Sequence, residues 1–118
     1  MSQPTVELNV RKASNSASII DIRGDINAAA ERPLMEAYAR ASSGGVCAII
    51  LNFSQLSFMN SSGIGLLVSL LIRASRQKQK LLSYGLSEHY RQIFELTRLN
   101  EAIRICKDEQ EVLAAAAA

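Results

Sequence analysis

The segment Val46-Cys47-Ala48-Ile49-Ile50-Leu51-Asn52-Phe53 is apolar at every position except Asn52. An apolar run of this length without alternation is typical of a strand that is covered on both faces. We therefore predict that residues 46–53 form the middle strand of a sheet.

Two strands are predicted before this segment. Val6, Leu8 and Val10 alternate with polar residues, which is the period of a half-buried strand. A second strand spans residues 19–23 and ends at Gly24, and the short link between the two predicts an antiparallel hairpin. A helix over residues 28–42, with Asn27 as its N-cap, then leads into the middle strand.

Helices and strands alternate after the middle strand. We predict a helix over residues 62–78, a strand over 81–84, a helix from Ser87 to about 99, an edge strand over 103–106 and a final helix capped by Asp108. Strands that are joined by helices run parallel. The predicted fold is α/β, with a short mixed sheet, an N-terminal antiparallel hairpin and about four helices mainly on one face.

Length and composition indicate one domain over residues 1–118, with a core over about 5–113. The alanine tail, residues 114–118, has high helix propensity but is expected to have nothing to pack against. The net charge of +2 is spread along the chain, which argues against nucleic-acid binding. No secretory signal is evident and no apolar run approaches the roughly 20 residues of a spanning helix, so we expect a cytoplasmic protein without membrane insertion.

The candidate ligands for metals are few. Cys47 and Cys106 lie far apart in apolar surroundings and are predicted to be buried, reduced thiols. His89 has no neighbouring cysteine or histidine, and is predicted to be an ordinary surface residue. We expect no metal site and no cofactor.

Residues 58–65, Phe-Met-Asn-Ser-Ser-Gly-Ile-Gly, place two hydroxyls at the start of a strongly apolar helix. The glycine spacing fits neither a nucleophile elbow, a P-loop nor a dinucleotide turn, and no base accompanies the serines, so no catalytic residue is predicted. One interpretation is purely structural: Asn60 or Ser61 caps the helix, and Gly63 and Gly65 allow close packing.

A second interpretation is a contact surface. At 100° per residue the core side of this helix is predicted to hold Ile64, Leu67, Val68, Leu71 and Ser75. Leu66 then falls on the exposed side, near Ser62 and Ser69. A phosphate at this helix start would meet free N–H groups, yet would place about two negative charges within such a surface.

The chain resembles the STAS domains of bacterial anti-sigma factor antagonists over about residues 6–113. The resemblance rests on four motifs. They are Gly24-Asp25-Ile26-Asn27, Leu51-Asn52-Phe53-Ser54, the segment 58–65, and Tyr84-Gly85-Leu86 with the helix containing Ile93-Phe94-Glu95-Leu96-Thr97. The resemblance implies that Ser61 is phosphorylated by an anti-sigma factor that is itself a serine kinase. Phosphorylation would break the complex, and a separate serine phosphatase would restore it.

The resemblance also implies a contact surface for the kinase, formed by Asp25, Asn27, Asn60, Ser62, Gly63 and Leu66. Asn27, Asn52 and Asn60 stand where the family commonly has aspartate, and we expect them to retain the hydrogen bonds and caps of those acids. The alternative function is a STAS scaffold or an accessory subunit of a signalling assembly or membrane transporter, without phosphate control. Oligomeric state is left open, a weak homodimer being one option.

Overall fold

The structure is a computed structural model, and it describes residues 5–118. Its sheet has five strands in the order β1-β2-β3-β4-β5. They are β1 Val6–Lys12, β2 Ala17–Ile26, β3 Ala48–Met59, β4 Lys80–Tyr84 and β5 Arg104–Cys106. β1 pairs antiparallel with β2, and every later pair is parallel. The predicted hairpin, the mixed sheet and the central position of the apolar strand are confirmed.

Four α-helices connect and cover the strands. They are α1 Glu31–Ala41, preceded by the 3₁₀ turn Ala28–Ala30, α2 Ser61–Arg76, α3 Glu88–Leu96, which is followed by the 3₁₀ turn Leu99–Glu101, and α4 Glu109–Ala117. The predicted caps are present: the side chains of Asn27, Ser87 and Asp108 each accept a backbone N–H in the first turn that follows. The capping residues therefore determine where these helical segments begin.

The two faces of the sheet are covered unequally. Helices α1, α2 and α3 pack on one face, over a large core that includes Tyr38, Leu67 and Phe94. The other face carries a smaller core in which α4 packs through Val112 and Ala115. The prediction that the alanine tail has nothing to pack against is wrong, because Ala115 is buried in this second core.

β2 and β3 are both longer than predicted. β2 does not end at Gly24 but continues to Ile26, and Gly24 adopts a φ of +101° within the strand. A Cβ on Gly24 would lie 2.2 Å from the carbonyl oxygen of Thr5, so glycine permits both the backbone angle and the contact with the start of β1. The β2–β3 register shifts on either side of this residue, which carries the pairing on to Met59.

The two cysteines differ in exposure. Both are free thiols, and Cys106 is buried as predicted, but Cys47 is exposed. Cys47 lies before β3, where its N–H donates to Ser16 and its carbonyl accepts from Lys80. The prediction that Cys47 is buried is therefore wrong. Its neighbours in sequence are apolar, but Cys47 precedes the buried part of the strand. His89 is exposed, as predicted. Within residues 5–118, no helix is both long and apolar enough to cross a bilayer.

Candidate functional site at the start of α2

The turn between β3 and α2 places two serines at a helix N-terminus. Asn60 is the N-cap, with extended backbone, and its Oδ1 accepts the Gly63 N–H at 3.0 Å. Ser61 and Ser62 are the first residues of α2, and both are exposed. Across residues 5–118 no acceptor meets the N–H of either serine. These two donors and the positive end of the helix dipole can therefore receive an anion.

Three contacts hold this turn against the rest of the fold. The Asn60 N–H donates to the Ile26 carbonyl at 3.3 Å, and the Met59 N–H donates to the Tyr90 hydroxyl at 2.9 Å. A Cβ on Gly63 would lie 2.2 Å from the Ile26 oxygen, so α2 approaches the end of β2 more closely than any residue with a side chain would allow. The serines are thus presented from a rigid turn.

The end of β2 and the loop that follows it lie beside this turn. Asp25 pairs with Phe58 and Ile26 with Met59, so the ends of β2 and β3 are adjacent. Asp25 is half-exposed and its Oδ2 accepts the Thr5 hydroxyl at 3.3 Å. Asn27 caps the following turn by accepting the Ala29 N–H at 3.0 Å. The structure therefore brings Asp25 and Asn27 to the same end of the sheet as Asn60 and Ser61.

The helical phase predicted for α2 is wrong in part: Leu67 is buried and Ile64 and Leu71 pack against the core as predicted, but Val68 and Ser75 are exposed. The buried residues are Gly63, Leu66, Leu67, Leu70 and Ala74. Leu66 is only 9% exposed, so the prediction that it faces outward fails, and Gly63 is likewise buried as a packing residue. The close approach of Gly63 to β2 turns the helix so that another set of residues faces solvent.

The exposed side of α2 carries a different apolar line. Val68 is 39% exposed and Ile72 is 47% exposed. Gly65 lies between them and Ser61, and a Cβ there would meet nothing within 4 Å. At spacings of three and four residues, Ser61, Gly65, Val68 and Ile72 lie along one side of the helix. Sequence reasoning missed this line because it assigned Val68 to the core.

Asn52 has a separate role on the other face of the sheet. Its Nδ2 donates to Asp21 Oδ1 at 2.8 Å, and its Oδ1 accepts the Ser54 N–H at 3.0 Å. A carboxylate at position 52 could not donate to Asp21, and would place like charges in contact. The expectation that the asparagines retain the caps of acids is therefore met for Asn27 and Asn60, whereas Asn52 supplies a donor that an ionised acid lacks.

Asp21 belongs to a charged cluster that joins β1 to α4. Arg11 Nε and Nη2 donate to the two Asp21 oxygens at 2.8 and 3.1 Å, and Nη2 also donates to Glu109 Oε1 at 2.7 Å. These hydrogen bonds from Arg11 lower the pKa of Asp21 and of Glu109. Burial, with the hydrogen bond to Glu109, raises the pKa of Tyr84 to about 12. No single sequence motif links these residues, which the fold brings together.

Comparison with known proteins identifies the family. The STAS domain model matches residues 8–112, and the chain belongs to the STAS domain family. The anti-sigma-B factor antagonist of Listeria monocytogenes serovar 1/2a is 22% identical over 107 residues, which cover 91% of this chain and 94% of that protein.

Solved structures show the same fold. The anti-sigma factor antagonist SpoIIAA in its unphosphorylated form superposes with a TM-score of 0.72 at 20% identity, over 94% of this chain and 97% of that one. The Bacillus cell fate determinant SpoIIAA in the phosphorylated form gives 0.71 at 22% identity, over 92% and 99% of the two chains. An anti-sigma factor antagonist from Mycobacterium paratuberculosis gives 0.81 at 17% identity over the whole of both chains.

Proposed function

We propose that this chain is an anti-sigma factor antagonist, a binding protein that captures an anti-sigma factor and so releases a sigma factor. Ser61 is its phosphate acceptor, an anti-sigma factor serine kinase is its partner, and a serine phosphatase reverses the modification. The observation that carries the proposal is the exposed Ser61 at the first position of α2. The similarity to the Listeria protein and to SpoIIAA, which are anti-sigma factor antagonists, supports it.

The local geometry favours a phosphate that leaves the fold intact. A phosphoryl group on Ser61 lies beside the free N–H groups of the first turn and the positive end of the helix dipole. The cap at position 60 is a neutral amide, so it adds no repulsion against the dianion. The acid near this turn is Asp25, at the end of β2, whose carboxylate accepts the Thr5 hydroxyl. Phosphorylation therefore changes the surface charge and not the scaffold.

The proposed contact surface consists of Ser61 with Asp25, Asn27, Asn60 and Ser62. Gly63 contributes indirectly, because it sets the approach of α2 to β2. Leu66 is buried and is not part of the proposed surface, whose apolar residues lie on the exposed side of the helix. Val68 and Ile72 supply the apolar part of that side, and Gly65 leaves room for a partner backbone. A dianion at the head of this apolar line would have to be desolvated on docking, which opposes binding.

Two variants test the switch. Calorimetric titration against the cognate anti-sigma factor should show that Ser61→Ala binds as the unmodified chain does, while Ser61→Asp binds at least about tenfold more weakly. Ser14→Asp is the matched control, because it adds the same charge at an exposed serine in the β1–β2 turn, at the other end of the sheet, and should bind as the unmodified chain does. Equal affinities for Ser61→Ala and Ser61→Asp would contradict the proposal.

Modification is read independently by mass spectrometry of the chain recovered from its own cells. The expected result is a phosphopeptide assigned to Ser61 that disappears in Ser61→Ala. A chain that never carries phosphate, and that co-purifies with a transporter or a signalling scaffold, would favour the alternative function.

A further inference from the structure

Strand β1 leaves a row of backbone groups without a partner strand. Within residues 5–118 it pairs with β2 alone and forms one edge of the sheet. The Asp25 N–H donates to Thr5 and the Ala13 N–H donates to Ala17, so the odd-numbered residues of this strand direct their backbone groups toward β2. The even-numbered residues direct theirs outward; they are Val6, Leu8, Val10 and Lys12.

This edge lacks two of the devices that usually prevent pairing, a bulge and a proline. The β1–β2 register is continuous over seven residues, with no bulge and no proline. Edge strands are commonly protected by short length, bulges, proline or charged side chains. Charged side chains are present in β1, but their order is self-complementary rather than uniformly repulsive.

We propose that the β1 edge pairs antiparallel with the β1 edge of a second copy of this chain. A two-fold axis through Asn9 places all seven residues in register. Leu8 then lies opposite Val10 of the second copy, in the hydrogen-bonded pairs that the outward groups require. Glu7 lies opposite Arg11 of the second copy, in a non-hydrogen-bonded pair where side chains approach most closely. The two sheets become one sheet of ten strands.

The side chains select this register over its neighbour. Glu7 is exposed and takes part in none of the ion pairs within residues 5–118. Arg11 already donates to Asp21 and Glu109 through Nε and Nη2, so Glu7 of the second copy would meet its Nη1 group, which donates to no residue among 5–118. Leu8 and Val10 are half-buried against the large core, and pairing would cover more of them. An axis through Leu8 would instead set Glu7 against Asn9, and would leave Arg11 and Lys12 beyond the paired segment.

Sedimentation equilibrium of the full chain tests association and its charge dependence. The expected result is a concentration-dependent monomer–dimer equilibrium. Glu7→Lys places like charges opposite each other twice in the dimer, and should raise the dissociation constant by roughly tenfold. Glu88→Lys makes the same charge change at an exposed site on α3, and should leave the constant unaltered. A monomer at every concentration, or equal effects of the two variants, would overturn the proposal.

Disulfide trapping tests the register itself, in a Cys47→Ser background that removes the exposed native thiol. Asn9→Cys places two thiols opposite each other across the axis, with Cα atoms about 4.5 Å apart, and should cross-link rapidly on mild oxidation. Glu7→Cys is the matched control on the same face, because its two copies would lie roughly 14 Å apart. Failure of Asn9→Cys to cross-link faster than Glu7→Cys would refute this pairing. Sedimentation measures the mass of the assembly and trapping measures a covalent cross-link. Neither measurement depends on the proposed phosphorylation.

Discussion

Two glycines in α2, two residues apart, should respond in opposite ways to the same substitution. Gly63→Ala places a Cβ 2.2 Å from the Ile26 carbonyl oxygen and 2.8 Å from Met59 Cγ. The methionine can rotate away, but the backbone carbonyl belongs to β2 and cannot. Gly65→Ala places its Cβ in open solvent.

The magnitudes follow from two competing effects. Alanine gains up to about 1 kcal/mol over glycine inside a helix, and this gain applies at both positions. At position 63 an overpacking cost of roughly 3 kcal/mol opposes it, because α2 must move away from β2. We therefore expect Gly63→Ala to lower the free energy of unfolding by about 2 kcal/mol, and Gly65→Ala to raise it by about 0.5–1 kcal/mol.

Urea unfolding followed by far-UV circular dichroism measures both changes. With a slope of roughly 1–3 kcal/mol per molar urea, the two midpoints should differ by about 1 M or more. The two variants serve as controls for each other, since residue type and helix are the same. If Gly63→Ala were as stable as Gly65→Ala, the close packing of α2 on β2 would not be what sets the helical phase.

Three further predictions concern buried and charged contacts. Tyr90→Phe leaves the buried Met59 N–H without an acceptor, and should cost about 1–3 kcal/mol in the same urea assay. Asn52→Asp replaces a donor to Asp21 by a like charge, so it should lower the free energy of unfolding by about 1–3 kcal/mol at pH 7. The loss should be smaller near pH 4, where protonation restores a donor, and an equal loss at both pH values would contradict this. Arg11 lowers the pKa of Asp21 in the folded state, so its stabilisation is present above the unfolded pKa of about 4 and is lost as the pH falls below it. Arg11→Gln should therefore lower stability at pH 7 and flatten its decline between about pH 5 and 3, as followed by thermal unfolding across that range.

Much of the fold follows from local signals that act within a few residues. The period of two in β1, the apolar run of β3 and the caps at Asn27, Ser87 and Asp108 all appear in the structure as predicted. Caps are predictable because the capping side chain and the N–H that it accepts are two or three residues apart. The exposed position of Ser61 after the Asn60 cap follows from the same local geometry.

Contacts between distant segments decided what sequence reasoning missed. A helix that is apolar nearly all round, as α2 is, can bury several different faces at similar free energy, so periodicity alone does not select one. The contact between Gly63 and the end of β2 selects the face that buries Leu66 and exposes Val68 and Ile72. The same is true of Ala115, which is buried only because α4 folds back across the sheet. The sequence by itself determined the order of elements and the capped serine, while tertiary packing decided which side of α2 a partner can reach.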